Sequence, residues 1–583
     1  MVEFKIIDVK FEEGADGTKI LKLPDLTEEE KKKIDPIVAP TSGLRIQIFD
    51  IETIEGHETY TLTNRNLFLF LRVFKAISQK FKQMKSNQNL KVLIVTDNRP
   101  SKDILLNYCS QIFAYDGFDV YHQQDDHGAS RLSSPYGAAS VALYKDINLI
   151  LVLTASHNEI SWNGIKFYID YPIPISGSLF KEITKIALEI NEISLKSNYT
   201  PILIDAEQKN NDYVIELLSK IMKIESLRNK NIVIWPYLGK ARGIVNLFKQ
   251  LGANVFVIEE ELNPPNPLKN IKEDVLQLHM TEAGSNIAIL LDADRDRIVL
   301  YVKQDGEYFT YIPNEIYSAM HNILSRKFNK KIINVRTIPS DLRGDETSVF
   351  NVFTGVGYKH LGVILYFLMD IPVEPSKVNT AILYLEQEDK SLIKLSNPFP
   401  LKNKIINLMK KHVLNEEQFV VVMWEESGGH TVNILNVSKS MDSDNYIFSS
   451  PLPLIADKYP VLALVLITEL ICRGNNISES IDWTIKGINQ TIHAVDEEKI
   501  KIMNNFKEND NKTIMIDGKE YKVSALSDNN DMVDIYRLKS ENSTLYFRPS
   551  GTGPDVRFYI FGKRETHLNE IKKMQEYIKN NYL

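Results

Sequence analysis

A serine that could accept a phosphoryl group lies in the short loop 154–158 of this 583-residue chain. The loop follows an apolar run at 148–153, so we expect Ser156 at the end of a buried strand, where its hydroxyl can meet a ligand. A serine in such a place can also simply cap a turn. A hydrolase is not indicated, because the surroundings hold no Gly-x-Ser-x-Gly elbow and His157, the adjacent residue, is poorly placed to be the base of Ser156. We therefore interpret Ser156 as a phosphoacceptor.

Three aspartates in alternating positions, Asp292, Asp294 and Asp296, could bind a metal ion. They lie between two strand-like apolar runs, and alternation in an extended segment would turn the three carboxylates to one side. Crowded carboxylates repel unless a cation holds them, and oxygen ligands that leave room for a phosphate suit Mg²⁺. A calcium-binding EF-hand is excluded, because loop positions 6 and 12 would be Arg297 and Lys303 instead of glycine and glutamate. A solvated acidic turn is the alternative.

The loop 425–430 could bind a sugar. It follows an apolar run at 419–424 and begins with two glutamates, a serine and two glycines. Carboxylate and hydroxyl groups on a flexible glycine loop suit paired hydrogen bonds to neighbouring sugar hydroxyls. An acidic pair before two glycines is also an ordinary turn, so this motif alone does not decide between the two.

The loop 548–554 could bind a phosphate group between two strand-like runs at 544–547 and 556–561. Its glycines let backbone N–H groups approach an anion, and Arg548, Ser550 and Thr552 can donate to phosphate oxygens. The loop lacks the Gly-Lys-Ser/Thr ending of a Walker A motif, so nucleotide binding is not indicated. We predict a phosphate site.

The elements that must position these loops alternate between strands and helices. An apolar run at 92–95 is followed by an amphipathic stretch at 102–115 and a strand-like run at 118–121. The same order recurs along the chain and favours α/β layers in similar modules. The chain is too long for one core, since cores stop growing near roughly 250–300 residues. Polar stretches near 207–211, 303–307 and 474–480 predict four domains, at 1–211, 212–308, 309–480 and 481–583.

Composition and charge limit the classes of partner. Lys and Arg number 69 against 76 Asp and Glu, a net charge of −7 that provides no broad basic field for nucleic acid. The two cysteines, Cys109 and Cys472, lack a Cys-x-x-Cys spacing and favour a reducing compartment over a disulfide or zinc framework. The longest apolar stretch, 460–471, is too short to span a bilayer, and the N-terminus has no long apolar segment. We predict a cytoplasmic protein that binds neither nucleic acid nor membranes.

The four loops, in this order, resemble those of the α-D-phosphohexomutase superfamily, which includes phosphoglucomutases and phosphomannomutases. The resemblance covers most of the chain, because 40–45, 97–101 and 354–359 also look like family segments. It implies a heart-shaped α/β molecule of four domains around one cleft. Three of these would be related α/β domains, and the fourth, C-terminal one would be an α+β domain like the TATA-box-binding protein.

The resemblance also implies roles for individual residues. A phosphorylated serine and a Mg²⁺ site would be formed by Ser156, Asp292, Asp294 and Asp296. Side chains that line the cleft and neutralise the transferring phosphoryl group would be Arg45, His157, Lys166 and Arg297. The sugar-binding group would be Glu425, Ser427, Lys359 and His430. The phosphate-binding group would be Arg548, Ser550, Gly551, Thr552 and Arg557.

The implied function is a mutase for hexose 1-phosphate and hexose 6-phosphate, with glucose first and mannose next. It would use Mg²⁺ and a bound glucose 1,6-bisphosphate, act on small sugar phosphates, and be a monomer or homodimer. A phosphopentomutase or a glucose-1,6-bisphosphate synthase of the same superfamily is an alternative. Two other classes stay open: a phosphatase, in which water intercepts the phosphoserine, and a catalytically inactive mutase-like binding or scaffold protein.

Some residues depart from the family pattern. Glu159 stands where the serine loop usually has proline, and Gly553 stands where many members have glutamate. Gly429 separates the Ser-Gly pair from His430, which makes His430 a candidate only. Residues 458–460 read Lys-Tyr-Pro where Lys-Asp-Gly is expected, and the segment between Lys359 and the sugar loop is enlarged. These departures leave the preferred sugar open.

Overall fold

The structure, a computed structural model, describes residues 2–6, 9–14, 17–36, 43–54, 57–85, 89–175, 177–372, 380–387, 391–395, 405–407, 412–413, 415–440, 446–550 and 554–583. The chain forms two compact units, one of Met1–Ile312 and Ile455–Cys472, the other of Pro313–Leu454 and Arg473–Leu583. Both combine sheets with packed helices, which confirms the predicted α/β class. Among the described helices, none has the length and apolar character needed to cross a membrane.

The first unit is built around a six-stranded sheet that leads into the serine loop. Its strands, in spatial order, are Ile202–Ile204, Asp119–Gln123, Lys91–Thr96, Leu149–Leu153, Trp162–Ile169 and Leu44–Gln47. The first four run parallel, and the last two are antiparallel to their neighbours. Every residue of Leu149–Leu153 is buried, as expected for a parallel strand that is covered on both faces.

A second sheet of the first unit carries the aspartate loop. Its strands, in spatial order, are Asn254–Val257, Asn231–Trp235, Ile287–Leu291, Ile298–Gln304 and Glu307–Tyr311. The loop 292–297 joins the antiparallel pair Ile287–Leu291 and Ile298–Gln304. Both strands are apolar and buried where they meet the loop, so the sheet holds the loop at both ends.

Smaller elements complete the described part of the first unit. Two three-stranded sheets consist of Val2–Ile6, His57–Leu62 and Phe49–Ile54, and of Glu192–Lys196, Thr18–Lys22 and Glu12–Glu13. The helices are Glu28–Ile34, Asn64–Met84, Lys102–Tyr115, Ser134–Leu143, Gly177–Glu189, Ala206–Ile221, Arg242–Gln250, Glu273–Ala283 and Val461–Cys472.

Two predicted domain boundaries fall inside regular elements. The polar stretch at 207–211 lies within the helix Ala206–Ile221, where Asn211 is buried and accepts a 2.6 Å hydrogen bond from the Tyr136 hydroxyl. The boundary at 308 would cut the strand Glu307–Tyr311 from its hairpin partner. At 207–211 polar composition suggested a linker because it does not distinguish a satisfied buried amide from a solvated one. At 303–307 the polar residues form a largely exposed hairpin turn instead of a linker. Any boundaries belong outside these elements.

The segment Ile455–Cys472 belongs to the first unit, although the chain on both sides of it belongs to the second. Its helix Val461–Cys472 is buried from 461 to 470, so the longest apolar run of the sequence is a core helix. The buried carboxylate of Glu469 accepts hydrogen bonds of 2.9 to 3.2 Å from the backbone N–H groups of 225–227. These bonds fasten the helix to a loop of the first unit.

The second unit contains a mixed sheet of seven strands, in the spatial order Leu392–Lys394, Leu383–Glu386, Phe350–Thr354, Lys331–Thr337, Glu416–Trp424, His430–Lys439 and Tyr446–Ser449. The three central strands run parallel, and the others are antiparallel to their neighbours. The helices of this part are Pro313–Phe328, Tyr358–Leu361 and Val363–Leu368. The sugar loop joins the strands Glu416–Trp424 and His430–Lys439.

The C-terminal part of the second unit is an antiparallel sheet of six strands, in the order Lys486–His493, Asp555–Gly562, Thr544–Pro549, Val533–Lys539, Lys519–Ser527 and Thr513–Ile516. The helices Asp496–Lys507 and Arg564–Tyr582 pack on one face, where Phe506 and Ile571 join Phe547 and Phe558 in one core. Helices on one face of an antiparallel sheet are an α+β arrangement, as predicted for this part.

Candidate active site

Ser156 lies in a tight, buried loop just beyond the strand Leu149–Leu153. Its backbone φ of 56° is in the left-handed region, which is costly for a residue other than glycine and is often found at functional sites. Its N–H donates to Oγ1 of Thr154 at 2.8 Å. The surrounding structure therefore holds the serine in one strained orientation at the end of the sheet.

Arg99 holds the serine loop in place and is completely buried. Its guanidinium donates to four backbone carbonyl oxygens, those of Ser156, Asn158 (2.8 Å), Glu159 (2.5 Å) and Trp162 (2.9 Å). The carboxylate of Asp97 accepts from Arg99 Nε at 3.1 Å and from the Thr154 hydroxyl at 2.7 Å. From the sequence alone, 97–101 stands out only as a family-like segment, because the carbonyl partners of Arg99 lie far along the chain.

The aspartate loop is a turn and not the extended segment that the alternation suggested. Arg295 has a φ of 67°, and its guanidinium donates to the backbone oxygen of Asp292 at 2.6 Å. Oδ1 of Asp292 accepts from the N–H groups of Asp296 and Arg297 at 3.1 and 3.2 Å. This turn brings ligand oxygens of all three aspartates within 4.8 Å of one another. The prediction of a clustered trio is confirmed, but a folded turn produces it.

The serine and the aspartate loops meet in the first unit. Oγ of Ser156 lies 3.5 Å from Oδ2 of Asp292. Nζ of Lys166 contacts Oδ2 of Asp294 at 2.7 Å and Oδ2 of Asp296 at 3.1 Å. Nε of Arg297 lies 3.8 Å from Asp292 and 3.6 Å from Asp296. The structure thus places the predicted serine, aspartates, lysine and arginine in one buried group.

The electrostatics of the aspartates fit a divalent cation. Burial, reinforced by Asp294 and Asp296, raises the pKa of Asp292 well above its usual value. Burial acts in the same direction on Asp296, but Lys166 and Lys458 outweigh it and lower the pKa of that carboxyl. Oδ1 of Asp294 and Oδ1 of Asp296 are buried and have no hydrogen-bond partner in the described part of the chain. Unpartnered carboxylate oxygens in such a cluster suit Mg²⁺.

His157 is closer to the serine hydroxyl than its position in the sequence suggested. Its Nδ1 lies 3.3 Å from Oγ of Ser156, so the expectation that it is poorly placed as a base was wrong. We attribute this to the left-handed backbone at Ser156, which turns the two side chains together. Burial, followed by the charges of Arg297 and Arg45, lowers the pKa of His157 and keeps the ring neutral. Nη1 of Arg45 lies 3.4 Å from Oδ1 of Asn158 and so reaches the same loop.

Two contributors to this site were not identified from the sequence. Nζ of Lys458 lies 3.5 Å from Oδ2 of Asp296, and its neighbour Asp457 accepts a 2.7 Å hydrogen bond from the Tyr168 hydroxyl. The sequence offered only one signal, the departure from Lys-Asp-Gly at 458–460. Ser134 Oγ accepts from Nζ of Lys166 at 2.9 Å, and no feature of the sequence pointed to it.

The sugar loop in the second unit is a compact turn. The N–H of Gly428 donates to the carbonyl of Glu425 at 3.1 Å, and Gly428 has a φ of 111°, which explains a glycine there. The Ser427 hydroxyl donates to Oε1 of Glu425 at 2.5 Å. The Glu426 carboxylate accepts from the Thr337 hydroxyl at 3.1 Å. The predicted pair Glu425 and Ser427 is therefore already in contact.

His430 does not lie on the sugar loop surface. It is completely buried, and its Nε2 lies 3.0 Å from Nε2 of His321 on the helix Pro313–Phe328. The Tyr317 hydroxyl of the same helix donates to the carbonyl of Gly428 at 2.6 Å. Because the extra Gly429 makes His430 the first residue of a core strand, the imidazole packs inward. We leave His430 out of the sugar-binding group.

The phosphate loop and the loop at 354–359 share one carboxylate. Asp534 accepts from Nη2 of Arg548 at 2.9 Å and from the N–H of Val356 at 3.0 Å. Lys359 is half-buried, and burial lowers its pKa despite the attraction of Asp534. Ser550 is buried on the same loop as Arg548.

The other predicted phosphate-binding residues are only partly described. The guanidinium of Arg557 donates to Oδ2 of Asp555 at 3.0 Å. Gly551 and Thr552 lie outside the described residues. A basic group around Arg548 is thus present, while the central part of the predicted loop stays a prediction.

Known proteins share both sequence and fold with this chain. Residues 56–194 match the family model described as phosphoglucomutase/phosphomannomutase, alpha/beta/alpha domain I. The phosphoglucosamine mutase of Dictyoglomus thermophilum is 27% identical over 273 residues, which are 45% of this chain and 55% of that protein. The chain therefore spans about half the length of this curated relative.

Two solved structures illustrate the shared fold. A phosphoglucomutase/phosphomannomutase family protein from Burkholderia thailandensis has a TM-score of 0.56 at 13% identity, over 92% of this chain and 96% of that one. The open form of parafusin, a Paramecium phosphoglucomutase, has a TM-score of 0.57 at 14% identity, over 97% of both chains. At such identities the likeness concerns the fold.

Proposed function

The chain belongs to the α-D-phosphohexomutase superfamily, and on that premise we propose that it is a mutase that moves a phosphoryl group between O1 and O6 of a hexose. Ser156 would carry the phosphoryl group. The observation that supports this most directly is the position of its Oγ, 3.5 Å from Asp292 and 3.3 Å from His157 in a buried, cation-lined group. A hydroxyl with no such neighbours would have no means to stabilise phosphoryl transfer.

Asp292, Asp294 and Asp296 would hold Mg²⁺ together with an oxygen of Ser156. Asp294 Oδ1 and Asp296 Oδ1, which accept no hydrogen bond from the described residues, support this. When bound, the ion would supply a positive charge that stabilises the transferring phosphoryl group.

The surrounding side chains would neutralise the charge of the transferring phosphoryl group and orient the serine loop. Positive charge beside Ser156 comes from Lys166, Arg297 and Arg45. It stabilises the negative charge that spreads over the phosphoryl oxygens during transfer. Neutral His157 has Nδ1 next to Oγ and is placed to accept the serine proton when Oγ takes up a phosphoryl group and to return it when that group leaves. Arg99 keeps the loop in this orientation.

The second unit would recognise the rest of the substrate. Glu425 and Ser427 would bind sugar hydroxyls with Lys359, and Arg548, Ser550, Gly551, Thr552 and Arg557 would hold the phosphate group that is not transferred. A bound 1,6-bisphosphate would reorient and return its other phosphoryl group to Ser156, so glucose 1,6-bisphosphate would act as intermediate and activator. The cycle regenerates the phosphoenzyme.

Glucose, then mannose, is the proposed hexose, on the strength of the Glu-x-Ser motif at 425–427. Glucosamine is the second candidate, because the relative from Dictyoglomus thermophilum is named phosphoglucosamine mutase. Pentose and bisphosphate-synthase variants are alternatives of the same chemistry. The cytoplasmic location, the absence of nucleic-acid partners and the monomeric or homodimeric state remain predictions.

The decisive experiment compares the purified protein with its Ser156→Ala variant. Both are assayed with Mg²⁺, a trace of sugar 1,6-bisphosphate, and the 1-phosphate of glucose, mannose or glucosamine, and both the 6-phosphate and released phosphate are measured. We expect isomerisation by the wild type and at least about a thousandfold loss in the variant, roughly 4 kcal/mol of transition-state stabilisation. Net phosphate release would favour the phosphatase. Turnover of no sugar phosphate, pentose phosphates included, would favour a mutase-like binding protein.

A further inference from the structure

The C-terminal six-stranded sheet has a polar face opposite the one that its helices cover. Phe547 and Phe558 lie in the hydrophobic core beneath the helices. Successive strand residues point to opposite faces, so Arg548 and Tyr559 lie on the other side. Arg548 stands opposite Arg557 in the strand register, and Tyr559 lies two residues along the same strand from Arg557. Both guanidinium groups and the phenol thus belong to one face.

The hydroxyl of Tyr559 differs in its hydrogen bonding from other tyrosine hydroxyls of this sheet. Tyr559 is only 4% exposed, yet the described residues offer its O–H proton no acceptor. By contrast, the Tyr536 hydroxyl donates to the carbonyl of Met503 at 2.9 Å, and the Tyr521 hydroxyl donates to the Glu570 carboxylate at 2.6 Å. Buried hydroxyl groups almost always have a partner, because an unpaired one is destabilising. Tyr559 therefore carries a donor that lacks an acceptor among these residues.

The surroundings of Tyr559 favour an anionic acceptor. Burial, followed by the charge of Glu426, raises the pKa of Tyr559 to about 12, so the hydroxyl keeps its proton at neutral pH. Arg548 and Arg557 oppose this shift, and because the guanidinium of Arg557 can only donate, it does not supply an acceptor for the phenol proton. Nε of Arg548 is likewise buried and has no partner in the described residues. Two cations and a neutral O–H donor on one face suit a phosphate oxygen better than a sugar hydroxyl.

We propose that Tyr559 is a substrate-contacting residue, which donates a hydrogen bond to the phosphate group held at Arg548. This inference rests on the proposed function, since that phosphate is the one the mutase would not transfer. A phosphate group has enough acceptor oxygens to satisfy Nε of Arg548 and the hydroxyl of Tyr559 together. The tyrosine would thus select ligands that carry a phosphate at this end.

The first test measures binding in the Ser156→Ala background, which prevents turnover. Glucose 6-phosphate, glucosamine 6-phosphate and glucose are titrated into this parent and into its Tyr559→Phe derivative by calorimetry. We expect Tyr559→Phe to weaken binding of the sugar phosphates about tenfold, because one hydrogen bond to a charged group is lost. Weak binding of glucose, which has no phosphate, should not change.

The second test separates a ligand contact from a structural role. Tyr559→Phe removes an O–H group that has no acceptor among the described residues, so its melting midpoint should equal or exceed that of the parent. The matched control Tyr536→Phe removes a satisfied hydroxyl of the same sheet. It should lower the midpoint by roughly 2–4 °C and leave the sugar phosphate affinity unchanged.

Unchanged affinity in Tyr559→Phe, or a loss of stability like that of Tyr536→Phe, would overturn the inference. Normal sugar phosphate binding without turnover by the wild type would overturn the proposed function, while the effect of Tyr559→Phe on affinity would still support the contact. Absence of sugar phosphate binding by the parent would overturn both.

Discussion

The guanidinium of Arg99 donates a hydrogen bond to the carbonyl oxygen of Ser156, 57 residues further along the chain. It also donates to three other carbonyl groups, at 158, 159 and 162. Only the planar fork of an arginine can reach several acceptors in this way. The orientation of the proposed phosphoacceptor thus depends on a residue that does not touch its hydroxyl.

Arg99→Lys should therefore damage both the loop and its chemistry. The lysine keeps the charge but loses most of the carbonyl bonds, so we expect about 3 kcal/mol of lost stability in urea unfolding. Displacement of Ser156 should also slow its phosphorylation by sugar 1,6-bisphosphate about a hundredfold. The control Lys102→Gln, which changes a surface pair with Asp103, should alter neither quantity. Parental stability and rate in Arg99→Lys would contradict the role of Arg99.

Asp294→Asn should weaken the proposed metal site. Loss of one of three carboxylates lowers the negative charge offered to a cation, so we expect Mg²⁺ to bind at least about tenfold more weakly. The rise in melting midpoint with increasing MgCl₂ reports this affinity directly, since ligand binding to the folded state stabilises it. Asp305→Asn, on an exposed turn of the next hairpin, is the matched control. An identical Mg²⁺ response in both variants would exclude Asp294 as a ligand.

Glu469→Gln should destabilise the first unit. The carboxylate accepts backbone hydrogen bonds from 225–227 through both oxygens, whereas an amide offers one acceptor and places an NH₂ group against N–H donors. We expect a loss of about 1–3 kcal/mol in urea unfolding. Glu216→Gln, an exposed glutamate on a helix of the same unit, should stay within about 0.5 kcal/mol. Equal midpoints for the two variants would mean that these bonds contribute little.

The buried pair His321 and His430 should make stability depend on pH. Burial lowers the pKa of His321 to about 3, whereas an unfolded histidine titrates near ~6.5. The unfolded chain therefore binds a proton that the folded protein excludes, so this stability is complete above about pH 6.5 and is lost as the pH falls toward about 3. For His321 alone the loss amounts to about 2 kcal/mol between pH 7 and pH 5.

The variant His321→Leu tests this dependence. Urea unfolding at pH 5, 6 and 7 should show a drop in stability that is smaller than in the wild type by about 2 kcal/mol. The exposed His279→Gln serves as control and should follow the wild type. If His321→Leu lost stability on acidification as steeply as the wild type, the pH dependence would have another origin.

Sequence reasoning found the parts of the site that are contiguous in the chain. Ser156 and the three aspartates each follow an apolar strand, and their residue types indicate chemistry without knowledge of the fold. Only the structure shows that the serine and the aspartates lie close together, because 136 residues separate Ser156 from Asp292. The same limit explains why Arg99 and Lys458 were not assigned roles: their partners are distant in sequence, and a single basic residue carries no pattern.

Sequence reasoning is less informative where one inserted residue changes which way a side chain points. The motif at 425–430 suggested that His430 belongs to the sugar loop. Since Gly429 is an added residue of the turn, His430 becomes the first residue of a buried strand and contacts His321. Likewise, the polar stretch at 207–211 resembled a linker, but its amides are satisfied inside a helix.

The path of the chain through Ile455–Cys472 has a practical consequence for work with recombinant fragments. A gene truncated after Ile312 would encode the serine and aspartate loops but would omit Lys458, Glu469 and the helix Val461–Cys472. The product would expose the loop and helices that this segment covers and should aggregate. A usable N-terminal fragment has to carry 455–472 as a covalently linked extension or receive it as a co-expressed peptide.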